Sequence, residues 1–172
     1  MRLTDCDETY SDAILAILNR AITTSTAVYD YQPRTAEIMA AWFESKRQGG
    51  YPVIGALTES GDLMGFASYG KFRPWPAYKY TVEHSLYVAE HYRGLGVGKQ
   101  LLAETITRAK AQDYHALVGA IDSQNTASIR LHESQDFKLV GTMPQVGFKF
   151  DRWLDLCLYQ RVLDTPATPA DG

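Results

Sequence analysis

The sequence predicts a single α/β domain built on a mixed β-sheet, and three observations predict it. Its 172 residues match the usual span of one domain. Helix-periodic stretches alternate with short strand-like runs along the chain. Near the middle, a strand, a glycine-rich turn, a helix and an apolar strand follow one another, the order of a crossover between parallel strands. With 45% hydrophobic and 22% charged residues the composition supports a packed core and argues against disorder, collagen or a coiled coil. Residues 1–164 read as the domain, and the Pro-, Ala- and Asp-containing stretch 165–172 as a flexible C-terminal tail.

The elements follow in order. After Asp7, the residues Ala13, Ile14, Ile17, Leu18, Ala21 and Ile22 recur at helical spacing. Thr35 has the chemistry of a cap for a second helix, with Ile38, Met39, Trp42 and Phe43 as its buried stripe and Gly49-Gly50 as its stop. Residues 52–58 and 63–71 flank the turn signal Glu59-Ser60-Gly61-Asp62 and predict a hairpin. Phe72-Arg73-Pro74-Trp75-Pro76 must leave the sheet, because two prolines remove donors from any ladder. A strand over 80–88, the glycine turn and a helix over 97–112 come next; Val97, Leu101, Leu102, Thr105, Ile106 and Ala109 share one face of that helix. A buried strand over 116–121, a short helix over 125–135 and strands over 137–141 and 147–163 complete the domain.

Charge and cysteines narrow the function classes. Seventeen Lys and Arg against twenty Asp and Glu leave a net charge of −3, so bulk charge would hold neither a nucleic acid nor an anionic membrane. No window approaches the apolar length of a membrane span, and the acidic start MRLTDCDETY is unlike a basic leader, so the expected compartment is the cytoplasm. Cys6 and Cys157 stand far apart with no ligand-spaced partners, which points to packing rather than to a disulfide or a metal.

The informative segment is Arg93-Gly94-Leu95-Gly96-Val97-Gly98-Lys99. Glycines between a strand and a helix let amide N–H groups aim outward at the positive end of the helix dipole, forming an anion cradle. A P-loop would need Gly where Arg93 stands and Ser or Thr where Gln100 stands; a dinucleotide turn would need Gly at Lys99. Both phosphate motifs fail. In the preceding strand, Thr81, Glu83, Ser85 and Tyr87 alternate with Val82, His84, Leu86 and Val88. A strand feeding a crossover helix is normally covered on both sides, so its polar face is expected to line a cleft, with Glu83 as candidate general base. On the later helix Asn125, Ser128 and His132 share a face.

The pattern R-x-x-G-x-G at Arg93, Gly96 and Gly98 resembles the coenzyme A pyrophosphate loop of the GNAT superfamily of N-acetyltransferases. The segment from Asn125 to Phe137 is similar to the element of that superfamily whose asparagine bonds the pantetheine arm. His132 stands where most members have a tyrosine. Together with Phe72-Arg73-Pro74-Trp75, Thr81-Val82-Glu83-His84-Ser85 and the stretch from Met143 to Asp155, that departure resembles the phosphinothricin and methionine sulfoximine acetyltransferase branch. Where the superfamily usually has a glycine before the aromatic of the next strand, this chain has Asp136, which tolerates a left-handed conformation.

The resemblance implies a central mixed sheet of about seven strands flanked by about four helices. It implies acetyl-CoA as co-substrate, no metal, homodimers, and Glu83 with His132 as an acid-base pair. Leu86, Tyr87, Val88, Arg93, Gly94, Leu95, Gly96, Val97, Gly98, Lys99, Asn125 and Ser128 are the candidate cofactor residues, with a backbone N–H near 86–88 as oxyanion donor. Tyr29, Arg73, Pro74, Trp75, Glu83, His84 and Ser85 are the candidate substrate residues, Arg73 offering a planar fork for a carboxylate. The expected activity is acetylation of the α-amine of small glutamate-like amino acids such as methionine sulfoximine, methionine sulfone or phosphinothricin, with a role in herbicide or antibiotic resistance. Protein N-termini, other small amines, and an acyl-CoA-sensing module without turnover remain open beside it, as do a surface or dimer role for Arg73 and Trp75 and a site or interface role for Lys149 and Trp153.

Overall fold

A computed structural model describes residues 1 to 171 as one seven-stranded sheet carrying four α-helices. The strands are β1 (Arg2–Asp5), β2 (Val53–Leu57), β3 (Leu63–Lys71), β4 (Thr81–Val88), β5 (Ala116–Asp122), β6 (Lys138–Lys149) and β7 (Arg152–Val162). The helices are α1 (Ser11–Thr24), α2 (Ala36–Gly49), α3 (Val97–Ala111) and α4 (Thr126–Glu133). Across the sheet the order is β1-β2-β3-β4-β5-β7-β6, and β4 with β5 is the one parallel pair among the described residues. That is the crossover read from the sequence, with α3 as its connecting helix.

Local chemistry accounts for most boundaries. The Thr35 hydroxyl accepts the Ile38 N–H to start α2, and Gly50 ends it at φ 65, a left-handed value that glycine adopts without a Cβ penalty. The six residues assigned to the inner face of α3 are all buried. Val97, Leu101, Leu102, Ile106 and Ala109 pack on one side of the sheet; Ile14, Leu18, Met39 and Phe43 of α1 and α2 pack on the other. Each fully buried leucine among them contributes roughly 1.5–3 kcal/mol of apolar transfer.

One strand was not expected, and two expectations are corrected. β1 was not legible, because four residues with a charge at each end carry too little period; its pairing with β2, Leu3 opposite Ala56, makes it a strand. Ile38 is 48% exposed, since α2 meets its neighbours along a line through Met39 and Phe43 and leaves its first turn uncovered there. The strand expected over 137–141 runs on to Lys149 as the irregular edge strand β6, and the strand expected over 147–163 is broken at 150–151, its longer part being β7, to which β6 pairs. Pro144 falls in the stretch where that register slips, as suits an edge strand. Between β6 and β7 the chain reverses at Phe150 and Asp151 with φ of 52 and 55, the signs a two-residue I′ turn requires, on residues that carry no glycine signal. Asp136 does adopt the left-handed conformation, at φ 61. Beyond Leu163, Thr165 bonds the His115 ring at 2.8 Å and Ala170 bonds the Tyr80 hydroxyl; Gly172, the last residue of the expected tail, lies outside the described residues. No described helix is long and apolar enough to cross a membrane.

Candidate active site

The ladder between β4 and β5 covers only 81–83 of β4, so beyond Glu83 the two strands diverge and the β5-facing edge of β4 has no strand partner. The fork opens into a cavity of about 910 Å³. Leu86, Tyr87 and Val88 form one wall; Ile17, Ala21 and residues 25–27 form another; the glycine turn, Asn125, Ser128 and Leu131 close the far side.

The turn is shaped as an anion cradle. Gly94 and Gly96 hold φ of 77 and 80, and Gly96 is the residue from which α3 starts, without any side-chain cap. The first-turn amides of α3 therefore keep their donors for a ligand, with no acidic side chain in that turn to compete. A Cβ on Gly98 would come 3.1 Å from the Leu131 side chain, so glycine here lets the start of α3 approach α4. Arg93 donates from Nε to the Val88 carbonyl at 3.3 Å, which ties the turn back to β4. At the lip, Arg20 and Glu90 form an ion pair at 3.0 Å. Of the residues assigned to a cofactor from sequence, Leu86, Tyr87, Val88, Arg93, Gly94, Gly96, Val97, Gly98, Lys99, Asn125 and Ser128 line this cavity. Leu95 does not: it stands between the two left-handed glycines and is exposed. The Asn125 side chain caps α4 by accepting the Ser128 N–H at 3.1 Å.

Glu83 sits at the last rung before the fork, half-buried, on the same face as Ser85 and Tyr87. Burial raises its pKa, and the Arg73 guanidinium, 3.7 Å from Oε2, pulls it partly back. Arg73 also donates to the Phe72 carbonyl at 2.7 Å and lies 4.2 Å from the centre of the Phe72 ring. Pro74 and Trp75 belong to an exposed corner, where Trp75 meets the Tyr78 ring edge-on rather than walling the cleft. The Tyr29 ring lies over Gly147, where a Cβ would come within 2.7 Å of it, so only glycine fits beneath. Burial raises the Tyr29 phenol, with the charges of Asp122, Arg152 and Asp155 acting on it in turn.

His84 and His132 pair with each other and not with Glu83. Alternation along β4 turns His84 to the opposite face, where its Nε2 meets Nε2 of His132 at 2.9 Å in the core. The His132 Nδ1 lies 2.7 Å from the Ser128 carbonyl, which can only accept, so Nδ1 carries the proton, Nε2 of His132 accepts, and Nε2–H of His84 donates. The lone pair on Nδ1 of His84 is left without a partner. Gly119 makes room: a Cβ there would come 3.0 Å from His84 and 3.2 Å from His132.

Burial, then the neighbouring His132, push His84 down to about 3; burial also lowers His132, against the Ser128 carbonyl. Both histidines thus bind a proton in the unfolded chain near pH 6.5 but resist it in the native state, so stability is complete above that value. Between pH 6.5 and the depressed native pKa it falls by up to about 1.4 kcal/mol per pH unit for each histidine. The melting temperature is expected to drop between pH 7 and pH 5, and His84→Leu to flatten that slope; equal slopes for variant and wild type would remove this account.

Lys149 is structural. Its buried ammonium donates to the carbonyls of Ile22 at 2.7 Å, Ser25 at 3.0 Å and Val28 at 2.7 Å, capping α1 and setting the segment that lines the cavity. Trp153 of β7 is exposed against Phe148 of the edge strand β6, which also exposes Leu139, Val140, Met143 and Val146. Sequence reasoning missed the α1 wall, Gln124 and Arg152, all of which line the cavity. Ile17 and Ala21 carried only the helical period of a core stripe, and Arg152 carried no signal beyond one charge in a strand.

The model of the Acetyltransferase (GNAT) family matches residues 14–137. An L-methionine sulfoximine/L-methionine sulfone acetyltransferase from Pseudomonas aeruginosa is 47% identical over 151 residues, 88% of each chain. Among solved structures, an N-acetyltransferase from Staphylococcus aureus Mu50 superposes with a TM-score of 0.91 at 47% identity, covering 94% of this chain and 97% of that one. A phosphinothricin acetyltransferase from Sinorhizobium meliloti in complex with acetyl-CoA superposes with a TM-score of 0.94 at 34% identity, covering 98% and 91%.

Proposed function

The chain belongs to the GNAT acetyltransferase family, and from that premise we propose that it acetylates the α-amine of small glutamate-like amino acids such as methionine sulfoximine, methionine sulfone and phosphinothricin, with acetyl-CoA as donor. The observation that carries this reading is the fork after Glu83, with an anion cradle at one end of its cavity and a half-buried carboxyl at its root. The fork suits the donor chemically: the uncapped turn of Gly94 and Gly96 would take a diphosphate, and the wall of Leu86, Val88 and Leu131 an extended thioester arm. When bound, acetyl-CoA supplies the activated acetyl group.

The rest is done by this chain. An α-amine is mostly protonated at pH 7, a handicap on the order of 1 kcal/mol that a nearby base removes. Glu83 is that base, its carboxylate made more basic by burial. Arg73 takes the α-carboxylate, being close enough to Glu83 for one amino acid to touch both. A backbone N–H on the open edge near 86–88 stabilises the charge developing on the carbonyl oxygen. Proton movement at His132 would pass through Ser128, whose hydroxyl lies 3.4 Å from its Nδ1 and whose residue lines the cavity. A homodimer formed through the apolar edge of β6 and the cytoplasm as compartment complete the proposal; the cytoplasm keeps thiols such as Cys6 and Cys157 reduced.

Thiol release from acetyl-CoA, measured over a panel of amines, tests it. Turnover is expected with methionine sulfone, methionine sulfoximine and phosphinothricin. Acetyl-CoA binding by calorimetry without release on any amine would overturn the enzyme reading.

A further inference from the structure

Arg152 opens β7 and lines the cavity beside Gln124 and Asn125, yet its guanidinium makes no hydrogen bond among the described residues. Its nearest charge is Asp122, at the end of β5 and almost wholly buried, whose Oδ2 lies 3.7 Å from Nη2, beyond hydrogen-bonding reach. Asp122 spends its other oxygen on the Gln124 N–H at 2.8 Å, and Oδ2 is left with no hydrogen-bond partner at all. The pair is therefore an arginine held in place by charge, with its donors left unspent and facing the cavity. A guanidinium with five N–H donors is suited to oxygen acceptors, and its charge is already balanced by Asp122, so a neutral polar oxygen suffices as a partner. Tyr29, a candidate substrate residue, lies over Gly147 of β6, on the same hairpin whose second strand Arg152 opens, whereas the diphosphate end at Gly94 and Gly96 belongs to the start of α3.

We propose that Arg152 binds the oxygen-bearing end of the acceptor's side chain, the sulfone, sulfoximine or phosphinate group, with Asp122 as its positioning residue. The inference rests on the amino-acid acetyltransferase reading above and deepens it. With Arg73 on the α-carboxylate and Arg152 on the far oxygens, the acceptor is gripped at both poles and its amine is presented to Glu83. This distinguishes methionine sulfone from norleucine, an amino acid of similar length without side-chain oxygens.

The test compares kcat/KM for methionine sulfone and for norleucine in wild type, Arg152→Gln and Asp122→Asn, with acetyl-CoA binding by calorimetry alongside. Loss of a charge-assisted hydrogen bond predicts that Arg152→Gln lowers the methionine sulfone to norleucine ratio by roughly 10- to 100-fold, carried by KM. Asp122→Asn, which keeps an oxygen for the Gln124 N–H, should lower the same ratio by a smaller factor, again through KM. An unchanged ratio, or a weakened acetyl-CoA affinity with the ratio intact, overturns the assignment. Wild type that turns over neither amino acid overturns the acetyltransferase reading itself, and the inference with it.

Discussion

Glu83→Gln is expected to lower kcat for an amino-acid acceptor by about 10² to 10⁴-fold, the usual worth of a positioned general base, while acetyl-CoA affinity changes little. Gln keeps the size and the half-buried position at the root of the fork but cannot take a proton. The pH profile carries a second signature. A base works when deprotonated, so wild-type kcat/KM should fall as pH drops through the Glu83 pKa. Burial raises that pKa, so the fall begins above the ordinary carboxylate range, with Arg73 limiting how far. The variant should lack this limb. If Glu83→Gln retains wild-type kcat while His132→Ala abolishes it, the base belongs to the other side of the sheet.

The second large effect is on stability. Lys149→Met should destabilise the protein by about 3 to 5 kcal/mol, because the carbonyls of Ile22, Ser25 and Val28, two of them in buried bonds, lose the charged donor they share. For a chain of this size that is a fall in Tm of roughly 10 °C. Acetyl-CoA affinity should weaken as well, since the carbonyls of Ile22, Ser25 and Val28 belong to the segment that forms the α1 wall of the cavity. Thermal denaturation followed with and without acetyl-CoA reads both effects. A Tm within about 2 °C of wild type would show that the ammonium is dispensable, and the capping role would fail.

These two residues also mark how much of the site was legible. Glu83 was readable because its polar neighbours alternate along a strand that must be covered on both sides, a contradiction that only a cleft resolves. The glycine turn was readable because positive φ and a free helix N-terminus demand glycine at particular spacings, which Gly94 and Gly96 satisfy. Lys149 was not readable, since its partners are more than a hundred residues away and a lysine at a strand end is ordinarily solvated. His132 stood out in the sequence as a departure from tyrosine, but its contact was not legible there: alternation places His84, not Glu83, on the face that meets α4.

What the sequence by itself determined is everything set by neighbours in the chain. That covers the amphipathic faces of α1 and α3, the hairpin of β2 and β3, the caps at Thr35 and Gly50, and the anion cradle at the start of α3. Tertiary structure alone decided which distant groups meet: β1 beside β2, Tyr29 over Gly147, Lys149 beneath α1, and Arg152 held off Asp122. The physical reason is that backbone periodicity and capping act over a few residues and leave a local pattern. Desolvation and hydrogen-bond satisfaction are settled only when the sheet closes and every buried donor must find an acceptor.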